Sequence, residues 1–122
     1  MRERLFTVGL VVLVVGLTAL GVNAFFAPEG AADGYGIAAG APGWISATGL
    51  RDVSLAVAVL GVWRAHPIAL RPLLLGVLVV PLGDVAVVLL AGSPLPAIAP
   101  HAIGAVGVAV LWWLAPRTTA TT

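Results

Sequence analysis

The chain contains no cysteine, no lysine and a single tyrosine, and only 9% of its 122 residues are charged. Without cysteine there is no disulfide framework, no thiolate nucleophile and no Cys-ligated zinc or iron-sulfur site. A membrane oxidoreductase working through a cysteine pair is thereby excluded. The six basic residues are scattered arginines and the formal net charge is +1, so no basic stripe can neutralise phosphates, and nucleic acid is not an expected partner. An ordinary soluble domain carries about a quarter of its residues as charges. A chain that is 61% apolar, with a mean hydropathy of +1.13, cannot coat a globule with polar side chains. The lipid bilayer is its expected surrounding. Arginine in place of lysine, with abundant Ala, Gly, Val and Pro, points to a GC-rich bacterial genome and a multi-pass place in the bacterial inner membrane.

A helix needs about 20 residues to cross the hydrocarbon core, and the apolar runs give four such spans at about 5–27, 44–63, 72–91 and 96–115. The expected fold class is therefore all-α, an integral membrane four-helix bundle forming one transmembrane domain over 1–122. Pro28 closes span one and an outer loop covers 28–43. A cytoplasmic loop covers 64–71 and a polar tail 116–122. The start of span four falls between Leu95 and His101, because Pro94, Pro96 and Pro100 crowd its entrance. Arg2, Arg4, Arg64, Arg71 and Arg117 all fall at the two termini and the second connection, which by the positive-inside rule makes the N and C termini cytoplasmic. Trp63, Trp112 and Trp113 then mark inner ends and Trp44 an outer end, where amphipathic indoles settle.

The start also mimics a signal peptide, with Met1-Arg2-Glu3-Arg4, an apolar stretch and Val22-Asn23-Ala24. The apolar stretch is longer than such segments use, so a retained span is expected. In the outer loop, Gly34, Gly36 and Gly40 imitate a nucleotide-binding glycine pattern, but no strand precedes them. A flexible or partly re-entrant cap over the bundle is the better account.

Charges inside a span are costly and usually mark function, so their depth matters. Arg51 and Asp52 fall about 10 to 12 Å below Trp44, and Asp84 about 12 Å below Gly92. Asn23 falls about 8 Å below Pro28, and His101 about 7 to 10 Å below the start of span four. All five can share one layer in the outer half of the membrane. Gly9, Gly16, Ala19 and Asn23 form a stripe of the kind small residues offer to a neighbouring helix. Thr48 lies three residues before Arg51 and four before Asp52, within reach of either. Arg51 and Asp52 point about 100° apart and are poor partners for each other, so each should reach another helix. Asp84 is the expected partner of Arg51. Pro81 loosens the third helix just below it by removing a donor to the Val77 carbonyl.

One arginine offsets only one of the two carboxylates, so a neutral cluster needs a proton on an Asp or on His101. That labile proton suits acid-base chemistry or proton coupling. The catalytic candidates are Asp52, Asp84 and His101. The binding candidates are Asn23, Thr48, Arg51 and Tyr35, the last from the outer loop. No His and carboxylate pair has the helical spacing of a metal site, so neither a metal nor another cofactor is expected. His66, beside Pro67, reads as a solvated loop residue. The Arg and Asp residues can equally act as pure structure, fixing which helices pair.

Asn23 with Phe25-Phe26 and Pro28, the run Gly49-Leu50-Arg51-Asp52, Pro81 with Gly83-Asp84, and His101-Ala102 resemble a family of small four-span membrane proteins catalogued as a domain of unknown function, near the DoxX-like proteins. The likeness runs from about Leu5 to Ala115. It implies a four-helix membrane bundle and little else. The redox association of some DoxX-like proteins transfers poorly to a chain without thiols. Small multidrug exporters share the length and span number but rely on a carboxylate in the first span, which this chain lacks.

Three functions compete. The first is an enzyme or binding protein for a lipophilic small molecule, with Arg51 orienting an oxygen, Asp52 or Asp84 as acid or base, and His101 as second proton carrier. The second is a small proton-coupled transporter or exporter accessory, and the third a structural or assembly subunit. A homo-oligomer is compatible with any of them. The absence of a second polar layer towards the cytoplasm counts against transport.

Overall fold

The computed structural model describes residues 1–35 and 42–116. Gly36, Gly40, Arg117 and the polar run 118–122 lie outside the described residues. Five α-helices follow one another: α1 (Arg2–Phe26), α2 (Pro28–Tyr35), α3 (Pro42–Ala65), α4 (Leu70–Leu90) and α5 (Leu95–Leu114), with a 3-10 turn at Pro67–Ala69 before α4. Among the described residues there is no strand, and four of the helical segments are long and apolar enough to cross a membrane.

The first departure from expectation is α2, which stands where a loop was expected. α1 stops at Ala27, whose backbone turns to φ −138° while its N–H still bonds the Asn23 carbonyl. Pro28 then opens a new helix instead of only closing the old one. Its missing N–H and fixed φ suit a first helical position, and Glu29 in that first turn complements the helix dipole. Small side chains finish the work. Ala31 and Ala32 are buried with Ala24 of α1 and Ile45 of α3, so the short helix lies close against both long ones. Gly30 and Gly34 meet nothing on its other side.

Between α4 and α5 the chain reverses in a Schellman turn. Gly92 takes φ +69°, the left-handed region that glycine enters without strain. Its N–H bonds Leu89 O, and Ser93 N–H bonds Val88 O. Pro94 then caps α5, and Pro96 sits in the first turn, where no donor is needed.

The long helices form two tight pairs, α1 with α3 and α4 with α5. The α1/α3 crossing is close because both helices present glycine there. A Cβ on Gly21 would stand 2.6 Å from the Gly49 carbonyl oxygen, and one on Gly49 would stand 2.7 Å from the Gly21 oxygen. Backbones meet at this spacing only where side chains are absent. The expected contact stripe of Gly9, Gly16, Ala19 and Asn23 is therefore corrected. Gly9 does abut Leu111 of α5, but Gly16 meets nothing within 4 Å and Ala19 and Asn23 are exposed. The α3-facing side of α1 lies at Gly21 and Ala24, on a neighbouring stripe.

The two pairs close on each other at one end only. There Phe6, Leu10, Val59, Leu70, Leu74, Val108 and Leu111 form a continuous apolar core. It is the end that carries the N terminus, Arg64 and Arg71. At the other end the pairs diverge, and α2 lies over the gap.

Candidate functional site

The gap between the helix pairs is a cavity of about 330 Å³ with walls from all five helices. Leu13, Gly16 and Leu17 of α1 and Val80 and Pro81 of α4 make much of its apolar wall, and Gly104 opens the α5 side. Polar groups converge at the end nearest α2.

Arg51 is the hub. Its guanidinium forks onto Asp84, with Nη1 to Oδ1 at 3.0 Å and Nη2 to Oδ2 at 3.1 Å, while its Nε donates to Asp52 Oδ1 at 3.0 Å. The bidentate bridge across α3 and α4 is the pairing expected from the sequence, and two parallel charge-assisted bonds fix it in direction as well as distance. The bond to Asp52 is not what was expected. Successive helical Cβ atoms do point about 100° apart, but an arginine stem is long enough to curl back, and its five N–H groups leave in several directions. One cation therefore binds both carboxylates.

Tyr35, the last residue of α2, donates its hydroxyl to Asp52 Oδ2 at 2.6 Å. Burial, and then the hydrogen bond to Asp52, push its phenol well above the usual tyrosine range. Asp52 is thus held by Arg51 on one oxygen and by Tyr35 on the other, and at 3% exposure it is one of two polar residues buried in the described fold. The other is His101. Its ring stacks on Tyr35, with centroids 5.5 Å apart. Its Nε2 lies 3.4 Å from the Tyr35 carbonyl oxygen and its Nδ1 lies 3.8 Å from Asp84 Oδ2. The Nε2 is within hydrogen-bond reach of the Tyr35 carbonyl, whereas Nδ1 faces the Asp84 carboxylate from beyond hydrogen-bond distance.

Asn23 lines the same cavity from α1. Among the described residues, none of the hydrogen bonds that join the cluster uses its side chain. Thr48 does not join the cluster. Its hydroxyl bonds the Trp44 carbonyl at 3.1 Å, one turn back on its own helix, the local bond that competes for threonine hydroxyls in helices. His66 is exposed at the opposite end.

Sequence reasoning placed Arg51, Asp52, Asp84 and His101 together by depth and named Tyr35 without finding its partner. It missed the cavity wall. The available signal was small: a lone tyrosine in a connection made, apart from Ile37, of Gly, Ala, Pro and two acids, and glycines at 16 and 104 on the helices that line the cavity.

Chemically, the cavity offers an apolar volume ending in a guanidinium with unused N–H groups, a carboxamide, and a histidine beside two carboxylates. No curated protein and no solved structure matches the chain. A family model described as Domain of unknown function (DUF4267) matches residues 7–115, which is most of the chain and holds the whole polar cluster. The chain belongs to that family.

Proposed function

We propose that the protein is a multi-pass protein of the bacterial inner membrane, with both termini cytoplasmic, that binds or transforms a lipophilic small molecule in the cavity between its helix pairs. In this reading the chain is a single transmembrane domain with the four spans set out above, and its family stands near the DoxX-like proteins. The observation that carries the reading is the meeting of an apolar cavity with Arg51, Asp52, Asp84 and His101 at one end. Apolar walls with a few convergent polar groups are the usual form of a small-molecule site.

The roles follow from the bonds. Arg51 has N–H groups beyond the three that hold the carboxylates, so it orients an acceptor oxygen of the ligand, with Asn23 as a second donor. His101 and Asp84 hold and pass a proton, and Asp52, locked between Arg51 and Tyr35, fixes the guanidinium. With two carboxylates for one guanidinium, the site is neutral only when it carries a proton. Tyr35 closes the end under α2. Transport fits less well, because the other half of the bundle is filled by Leu10, Val59 and Leu74 and offers no second polar layer.

A structural reading has one observation in its favour, since every oxygen of Asp52 and Asp84 has a partner within the protein. Asp52→Asn separates the two. The molecule that co-purifies with the protein is identified by mass spectrometry after solvent extraction, then rebound to stripped protein between about pH 5 and 8, the window in which an ordinary histidine titrates. The proposal requires binding that changes with pH in the wild type and is weakened in Asp52→Asn, where the Arg51 guanidinium loses one of the two carboxylates that fix it. Identical, pH-independent binding in both leaves only the structural role.

A further inference from the structure

At the closed end of the bundle, two arginines stack on two tryptophans, and the pairs differ in one respect. Arg2 lies over Trp113, 5.5 Å from the ring centroid, and donates to the Trp113 carbonyl at 2.8 Å. It caps the end of α5. Arg71, in the first turn of α4, lies 4.6 Å over the Trp112 ring. Among the described residues no carboxylate pairs with it. The Arg71 Nε and the Trp112 Nε1 are both buried and neither has a hydrogen-bond partner among the described residues.

Buried N–H groups nearly always find an acceptor, and each exception calls for an explanation. Here two orphan donors belong to side chains stacked on each other, and one carries a positive charge. That combination calls for an oxyanion. Beside them runs a groove of about 280 Å³, lined by Arg71 and Trp112 together with Ile68, Pro72, Leu75 and Pro116. Ile68 and Leu75 are exposed. Leu75 stands one turn beyond Arg71, towards the middle of the apolar span. An acyl chain attached to a phosphate at Arg71 would therefore run over Leu75, along a surface that suits lipid tails.

We propose that this groove binds the phosphate of an anionic phospholipid, the Arg71 and Trp112 side chains turning their buried N–H groups outward to donate to it. A free phosphate would use the same two donors but not the apolar track over Ile68 and Leu75, which is why the ligand is a lipid. The site lies at the opposite end of the molecule from the polar cavity and does not depend on what the cavity holds. Charge-assisted donation from a guanidinium and the attraction of anionic lipid to basic residues at a membrane surface supply the affinity. The indole N–H supplies the position.

Native mass spectrometry of the full chain in neutral detergent, titrated with phosphatidylglycerol and in parallel with phosphatidylcholine and inorganic phosphate, tests this. Phosphatidylglycerol is expected to be retained in preference to phosphatidylcholine. Arg71→Gln should weaken its retention about tenfold, the loss of one charge-assisted bond. Trp112→Phe keeps a ring under the guanidinium while removing the N–H, and should weaken it about threefold or more. Trp112→Phe also provides the reading if Arg71→Gln fails to fold. Arg64→Gln, an exposed arginine at the same end, should change retention by about twofold or less. Loss in Arg64→Gln equal to that in Arg71→Gln would reduce the effect to diffuse surface charge and overturn the site. So would full retention in Trp112→Phe, and so would inorganic phosphate binding as tightly as the lipid, which would assign the donors to a free anion.

Discussion

At one end of the bundle Leu10, Val59, Leu70 and Leu74 are fully buried against one another and the four long helices close on a single apolar core. At the other end the α1/α3 pair parts from the α4/α5 pair around a cavity, and the only two buried polar residues of the described fold, Asp52 and His101, lie there. The chain changes character along each helix: α1 runs from Phe6 and Leu10 to Gly16 and Asn23, and α5 from Leu111 and Val108 to Gly104 and His101. Large side chains that interdigitate hold the first end, whereas ion pairs and a short capping helix hold the second. A protein that needed only to be a stable bundle could have continued the first pattern to both ends. The second end gives up packing for polar groups and space, as sites commonly do.

The contrast breaks most sharply under truncation. Leu74→Ala removes a side chain with no exposed surface and should lower stability by about 2–5 kcal/mol, since both its contacts and the filled volume are lost. Leu17→Ala, on the cavity wall, merely enlarges a space already present and should cost less than about 1 kcal/mol. Thermal unfolding in one detergent compares them. Equal losses would mean that the open end is packed as tightly as the closed one.

The ion pair sharpens the comparison. Arg51→Met leaves both Asp52 and Asp84 without their cation and should destabilise by about 3 kcal/mol, whereas Asp84→Leu leaves Arg51 paired with Asp52 and should cost less; the double variant recovers the share that belongs to Asp84 but still leaves Asp52 without its cation. Strict additivity of the two singles in chemical or thermal unfolding would show that the bridge does not hold the open end together.

A smaller effect comes from Tyr35, whose ionisation can be followed alone because the chain has no other tyrosine. Burial and the Asp52 bond raise its folded value above the ordinary one of about 10. The sign follows: its contribution to stability is complete below about pH 10 and is lost as the pH rises through the elevated folded value. Tyrosinate absorbance should appear only well above pH 10 in the folded protein, and earlier in Asp52→Asn. Ionisation at the ordinary value would place Tyr35 in solvent and remove the cap.

The parts of this arrangement that the sequence made legible are those where physics leaves few choices. A charge in an apolar span must find a partner, so Arg51 and Asp84 could be paired from depth and connectivity alone. The rest depended on features that composition does not carry. Residues 28–35 read as a loop because glycine, proline and acids dominate them, yet a proline at the first helical position and two buried alanines are enough for a helix packed on its neighbours. Arg51 reaches Asp52 because a long side chain is not bound by the direction of its Cβ. Small residues were ambiguous in a different way: Gly21 and Gly49 permit contact, while Gly16 permits space, and only the course of the neighbouring helices distinguishes them. Thr48 was drawn to the cluster by proximity when the carbonyl of its own helix was nearer.

The central claim is that the open end is shaped to hold a ligand. Gly16 meets nothing within 4 Å and lines the cavity, so Gly16→Leu should fill that space without disturbing the fold, and helix propensity favours the change. Wild type and Gly16→Leu, purified in parallel at equal helicity, are extracted and their bound small molecules compared by mass spectrometry. The account predicts one lipophilic molecule bearing an acceptor oxygen, near stoichiometric in the wild type and absent from Gly16→Leu. The same molecules in the same amounts in both proteins would contradict it.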